Sequence, residues 1–189
     1  MSEKITLYHT SLYKLPSPDI HFGRKNADFG QGFYLSDSRI FSKRWAAERK
    51  GYDTYINHYI LDMTSLSVRR FERSREWYDY IFENRSFHKD TLPQYDLIIG
   101  PIANDTLYDT FGITASGLLS PEQSLKLLML GGEYMQYVVK TQKCASQLEF
   151  ISADVLDKSD IASNRQTVLA EEEQFHNDFA AELERLTGQ

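Results

Sequence analysis

Apolar and polar side chains alternate along Ile5-Thr6-Leu7-Tyr8-His9-Thr10-Ser11 and again from Tyr55 to Leu61. A period of two predicts a half-buried strand in each place. Phe33-Tyr34-Leu35 predicts a shorter strand and Ser67 to Phe71 another, since aromatic and β-branched residues suit a pleated surface. Tyr95-Asp96-Leu97-Ile98-Ile99-Gly100 is almost continuously apolar, the pattern of a strand buried on both faces. Pro101 limits its extension. Tyr134 to Val139 and Leu148 to Ile151 complete the predicted strands.

Between them the period lengthens. Phe41, Trp45 and Ala46 predict a helix that Ser36 or Ser38 caps and Gly51 stops. Trp77, Tyr80, Ile81 and Asn84 fall at three-and-four spacing and predict an amphipathic helix over Glu76 to Asn84. Asn104-Asp105 starts a further helix carrying Leu107, Tyr108 and Phe111. Ser120-Pro121-Glu122-Gln123 is a capping signature for a helix through Leu130. A long C-terminal helix is predicted from Ser163, boxed with Gln166, to Leu186; Val168, Phe175, Phe179, Leu183 and Leu186 share one face. Short strands mixed with helices in this order predict an α+β fold. Residues 1–155 form the domain, and 156–189 form an amphipathic helix that either packs on it or binds a partner.

Composition narrows the function. With a formal net charge of -6, the overall field does not attract polyanions, and non-specific nucleic-acid binding is not expected. Cys144 is the one cysteine, so no disulfide closes within the chain, and a buried, neutral thiol is expected. There is no charged-then-apolar leader and no run near the ~20 apolar residues of a membrane span, so the expected location is cytoplasmic. No metal-ligand cluster, phosphate loop or Ser-His-Asp order is recognisable from spacing. His58, between aromatics, reads as structural.

The stretch Asp28-Phe29-Gly30-Gln31-Gly32-Phe33-Tyr34-Leu35-Ser36 concentrates the candidate chemistry. Glycines admit close approach to the main chain, and the strand that follows delivers a tyrosine. Such a turn suits a flat, partly polar ligand stacked on a ring; an ordinary turn before a strand is the plain alternative. Ahead of it, Leu12 to Asn26 is a long loop holding Pro16 and Pro18, and long loops are often functional. Arg24 and Lys25 at its end either meet a phosphate or are solvated charge.

"LYHTS" at residues 7–11 and "DFGQGFYLS" at 28–36 resemble the opening of the ADP-ribosyltransferase superfamily. They are most similar to an uncharacterised bacterial branch with LYHGS-like and DFGxGFYLT-like segments. The resemblance continues through Trp77 to Arg85, Tyr95 to Asp105 and Gln136 to Thr141, and so covers roughly residues 5 to 151. It implies a split two-sheet core with surrounding helices. It also implies a mono-ADP-ribosyltransferase that uses NAD as substrate and acts on a macromolecular acceptor, and, by family association, the toxin of a toxin–antitoxin pair with an antitoxin as a further partner. His9 and Tyr34 match two members of a His–Tyr–Glu triad; Gln136 stands where the glutamate is usual. By the same resemblance His9, Thr10, Gly30, Gly32, Phe33, Tyr34 and Arg24 contact NAD. Glu149, in Gln147-Leu148-Glu149, offers a competing registration for the third position, and Glu133 would face the opposite way to Gln136 on a strand. With an amide at the third position, a non-catalytic nucleotide-binding or protein-interaction module is the alternative.

Overall fold

A computed structural model describes residues 3–103 and 116–188. The helix expected around Leu107, Tyr108 and Phe111, with its Asn104-Asp105 start, lies outside the described residues. Among the described residues seven strands make two sheets: β1 (Lys4–Ser11), β2 (Phe33–Leu35), β3 (Tyr55–Asp62), β4 (Val68–Arg70), β5 (Leu97–Pro101), β6 (Met135–Val139) and β7 (Leu148–Val155). One sheet has the order β1-β3-β7 and is antiparallel throughout; the other has the order β2-β6-β5-β4, with only β4 and β5 parallel. The architecture is therefore α+β with two sheets.

The alternation read from sequence decides which face each strand turns inward. Leu7, Tyr59, Leu61 and Leu148 from the first sheet meet Phe33, Leu35, Leu97, Ile99, Tyr137 and Val139 from the second in one core between the sheets. The opposite face of the second sheet, with Ile98 and Val138, is covered by α2 (Arg75–Arg85) through Trp77, Tyr78, Tyr80 and Ile81. β5 and β6 are thus buried on both faces, which is why they read as apolar runs. Trp77 is fully buried, and its indole N–H donates to the Pro101 carbonyl at 2.9 Å.

Two helices depart from the sequence expectation. α1 (Arg39–Ser42), capped by Ser38, passes into one 3₁₀ turn (Lys43–Trp45) and stops, because Ala46 takes an extended backbone (ψ 127°). The segment to Gly51 is not helical. α3 (Pro121–Leu128) keeps the complete Ser120–Gln123 capping box, and α4 (Gln142–Ser146) is a single short element. α5 runs from Lys158 to Thr187 with Asp157 at its N-cap, so Ser163 lies inside it and not at its start. Its first turn packs Ile161 on Ile56 and Leu156. Lys43–Asp160 and Arg44–Glu171 ion pairs tie it to the 3₁₀ turn, and Gln123 Nε2 donates to the Leu186 carbonyl at 3.2 Å near its end. The C-terminal helix thus touches the rest of the chain in its early turns and near its end.

Candidate functional site

The two sheets touch along β1 and β2 through a single rung. Tyr8 and Ser36 exchange both main-chain hydrogen bonds, at 2.8 and 3.0 Å. In an antiparallel ladder the next such pair is two residues on, which here joins Thr10 to Tyr34. Instead, His9 Nδ1 approaches the Tyr34 carbonyl oxygen at 2.7 Å. An imidazole stands where a ladder bond belongs, and the strands part at this point. By the alternation of the ladders, the main-chain N–H and C=O of Thr10 and the N–H of Tyr34 are turned to the side where β1 and β2 part, while the Tyr34 carbonyl is taken by His9. Thr10 is held from the far side, its hydroxyl donating to the Ser42 carbonyl of α1 at 2.6 Å.

A carbonyl only accepts, so His9 Nδ1 carries the proton. Burial lowers the His9 pKa below its ordinary 6.5, with the Tyr34 carbonyl opposing the shift. The ring is accordingly neutral near pH 7, with Nε2 a bare acceptor. Phe33 fixes the ring plane at a centroid distance of 4.5 Å and is itself buried in the inter-sheet core.

Tyr34 points to the other face of β2, towards α2. Its hydroxyl donates to the Gly30 carbonyl at 2.6 Å and accepts from the Phe29 N–H at 3.0 Å. Burial, then the nearby Asp28 carboxylate, raises its pKa well above 10, so the phenol keeps its proton and braces the turn. Gly30 has φ +70°, and a Cβ there would lie 2.8 Å from Asn84 Oδ1; only glycine fits. At Gly32 the reason is space alone, since a Cβ would meet Val138 Cγ1 at 2.7 Å and the Val139 carbonyl at 2.8 Å.

The centre of the polar network is Asp28, 8 % exposed. Its Oδ1 accepts from Arg85 Nε at 2.8 Å and Nη2 at 2.6 Å; its Oδ2 accepts from Gln136 Nε2 at 3.0 Å and the Ala103 N–H at 3.1 Å. Four donors saturate the carboxylate. Gln136 lies on β6 opposite Gly100 of β5, on the same face as Val138, and its Nε2 also donates to the Pro101 carbonyl at 3.4 Å. Both N–H groups of Gln136 face protein acceptors, which leaves its Oε1 as the group with capacity for a ligand.

The structure therefore joins His9 to Tyr34 through the latter's main chain, and links Tyr34 and Gln136 through the Asp28–Gly30 turn that both hold. Arg24 is exposed, as is Lys25. Glu133 is exposed in the segment ahead of β6. Glu149 lies on β7, at the far edge of the other sheet, with β3 between it and His9. Cys144 is a buried free thiol whose pKa burial pushes up to about 12. His58 stacks on Tyr8. Among the described residues no group of three or more His, Cys, Asp or Glu is placed to hold a metal, and no helix is long and apolar enough to cross a membrane.

Asp28 and Arg85 are the residues that the sequence reading missed. Each sat at the end of a stretch singled out for its aromatics and glycines. The available signal was an acidic residue heading the glycine turn and a basic one closing an amphipathic helix, a pairing that only the fold brings together. The model of one family, described as a protein of unknown function (DUF3990), matches residues 5–150. No curated protein matches the chain.

Proposed function

The chain belongs to the DUF3990 family, and from that premise we propose that it is an NAD-dependent mono-ADP-ribosyltransferase with a split two-sheet transferase core. The observation that carries this reading is the parting of β1 and β2 around His9. A neutral imidazole with a bare Nε2 suits a ribose hydroxyl as donor, and the main-chain N–H and C=O of Thr10 together with the Tyr34 N–H suit a planar amide. The resemblance of the His9 and Tyr34 segments to ADP-ribosyltransferases supplies the substrate, NAD.

In this reading His9 accepts from the ribose through Nε2 while Nδ1–H holds Tyr34. Gln136 contributes Oε1, a dipole that favours the positive charge growing on the ribose as the bond to nicotinamide breaks. The acceptor's nucleophile bonds to the same ribose carbon, and nicotinamide leaves. A toxin paired with an antitoxin is a further proposal resting on the resemblance alone.

The saturated Asp28, the carboxylate that Gln136 meets among the described residues, favours a second reading: a module that binds the nucleotide without turning it over. Incubating the purified chain with NAD labelled in the adenylate half and a cell lysate separates the two. Label transferred to macromolecules supports the transferase; calorimetric NAD binding without transfer or nicotinamide release supports the module. No NAD binding at all rejects both.

A further inference from the structure

A glutamine side chain has two unlike ends, an oxygen that accepts and an –NH₂ that donates. Which end of Gln136 meets a ligand is decided by what the other end meets. Its Nε2 lies 3.0 Å from Asp28 Oδ2 and 3.4 Å from the Pro101 carbonyl. A carboxylate and a carbonyl only accept, so the nitrogen is the end turned to them. Oε1 is the end turned away.

Of the two acceptors, Asp28 sets the orientation, because its contact is the shorter and is charge-assisted, the stronger kind. The carboxylate is itself fixed. Arg85, the last residue of α2, holds Oδ1 through Nε and Nη2, and the Ala103 N–H holds Oδ2. Arg85 Nη2 also donates to the Ala103 carbonyl at 3.2 Å, and Asn84 Nδ2 donates to the Asp28 main-chain carbonyl at 3.4 Å. Side chain and main chain of Asp28 are thus both tied to the last turn of α2.

We propose that Asp28, held by Arg85, is a positioning residue: through Gln136 Nε2 it presents Oε1, and not the –NH₂, to the ribose on which positive charge grows. This rests on the transferase reading above. Turned over, the same amide would aim N–H groups at that charge and oppose it. It follows that an amide and a carboxylate can trade places. In Asp28→Asn the new oxygen stays on Arg85, which only donates, so the new –NH₂ faces Gln136 and Gln136 turns over to accept from it. In Asp28→Asn combined with Gln136→Glu a carboxylate accepts that –NH₂, and a negative oxygen is again presented to the ribose.

Side-chain amide NMR of the full ¹⁵N-labelled chain and nicotinamide release test this together. In the wild type the Gln136 –NH₂, assigned by its loss in Gln136→Met, is expected to exchange with solvent at least about tenfold more slowly than that of exposed Gln166, the scale of a hydrogen bond to a charged group. In Asp28→Asn, checked for folding by circular dichroism, that protection is lost. The same variant is expected to lose roughly a hundredfold in kcat, the scale of removing one positioned dipole, with KM for NAD near the wild-type value, since the contact strengthens only as the bond breaks. The double variant should recover at least about tenfold of that loss, and not all of it, because the Ala103 N–H gives up its acceptor. A Gln136 –NH₂ that exchanges freely in the wild type, or stays protected in folded Asp28→Asn, overturns the proposal. So does a kcat that Asp28→Asn leaves unmoved, or a loss that the double variant does not recover, as a merely structural role of Asp28 predicts. The exchange measurement needs no turnover and, in the wild type, no variant that must fold. A wild type that leaves NAD intact while its Gln136 –NH₂ is protected contradicts the transferase reading and leaves the orientation set by Asp28 standing, so the two fail separately.

Discussion

Replacing Gln136 by glutamate, the residue usual at this position in the resembled superfamily, tests the hydrogen-bond arithmetic of the buried network. Gln136 Nε2 lies 3.0 Å from Asp28 Oδ2, so Gln136→Glu sets two carboxyl groups against each other. Two unit charges at ~3 Å repel by about 5 kcal/mol at an effective dielectric near 20, and the Arg85 Nε and Nη2 hydrogen bonds to Asp28 go to its other oxygen, Oδ1. A cheaper solution keeps the new carboxyl protonated, so that its O–H donates to Asp28 in place of the amide. Holding a carboxyl of ordinary pKa about 4.3 protonated at pH 7 costs roughly 3–4 kcal/mol, at about 1.4 kcal/mol per pH unit. The folded state then binds a proton that the unfolded chain has released, so the penalty is full at pH 7, about 1 kcal/mol at pH 5 and gone near pH 4. For a chain of this length about 3 kcal/mol lowers Tm by roughly 6–12 °C. Thermal unfolding by circular dichroism of wild type and variant at both pH values reads this directly. A variant as stable as wild type at pH 7, or a deficit of the same size at pH 5, would refute the reasoning. The same protonation predicts that Gln136→Glu does not raise nicotinamide release at pH 7, because a neutral carboxyl brings no charge.

Arg85→Met removes the cation from buried Asp28 and is expected to cost about 3–5 kcal/mol in urea unfolding; a loss near zero would mean that Asp28 is satisfied without it. Gly30→Ala and Gly51→Ala both place a side chain at positive φ, but only at Gly30 does the Cβ meet neighbours, Asn84 Oδ1 and Lys140 Nζ. Gly30→Ala should therefore be the more destabilised of the two by more than about 1 kcal/mol, and equal melting temperatures would exclude the contact. His9, its pKa lowered by burial, contributes stability that is present above pH 6.5 and is lost as pH falls below it, because the unfolded chain protonates first. Stability curves between pH 5 and 7.5 should accordingly fall more steeply for wild type than for His9→Phe. Cys144, pushed up to about 12 by burial, should react with iodoacetamide at pH 8 about a hundredfold more slowly in the folded chain than in denaturant; comparable rates would place the thiol at the surface.

The strands were legible because each carries its own period: β1 and β3 alternate, and β5 reads as a doubly buried run. Helix ends were legible where a cap is local, as at Ser120-Pro121, and not where the signal repeats, since α5 begins at Lys158, after Asp157 at its N-cap, although Ser163 and Gln166 offer a capping pattern inside it. The 3₁₀ turn after Ser42 was hidden because Trp45 and Ala46 keep helical spacing while the backbone has already become extended. His9, Tyr34 and Gly30 were found through a contiguous motif. Asp28, Arg85 and Gln136 meet across 57 and 108 residues of chain, and no local period records such a meeting.

The central claim is that the gap held open by His9 is where NAD is cleaved. The most direct measurement is the release of nicotinamide from NAD by the purified full chain at pH 7.5, beside His9→Ala and Tyr34→Ala checked for folding by circular dichroism. The account predicts release by the wild type and a loss of roughly a hundredfold or more in His9→Ala, the scale of removing one positioned polar group from an active site. NAD left intact by the wild type, or cleaved equally well by folded His9→Ala, would contradict it.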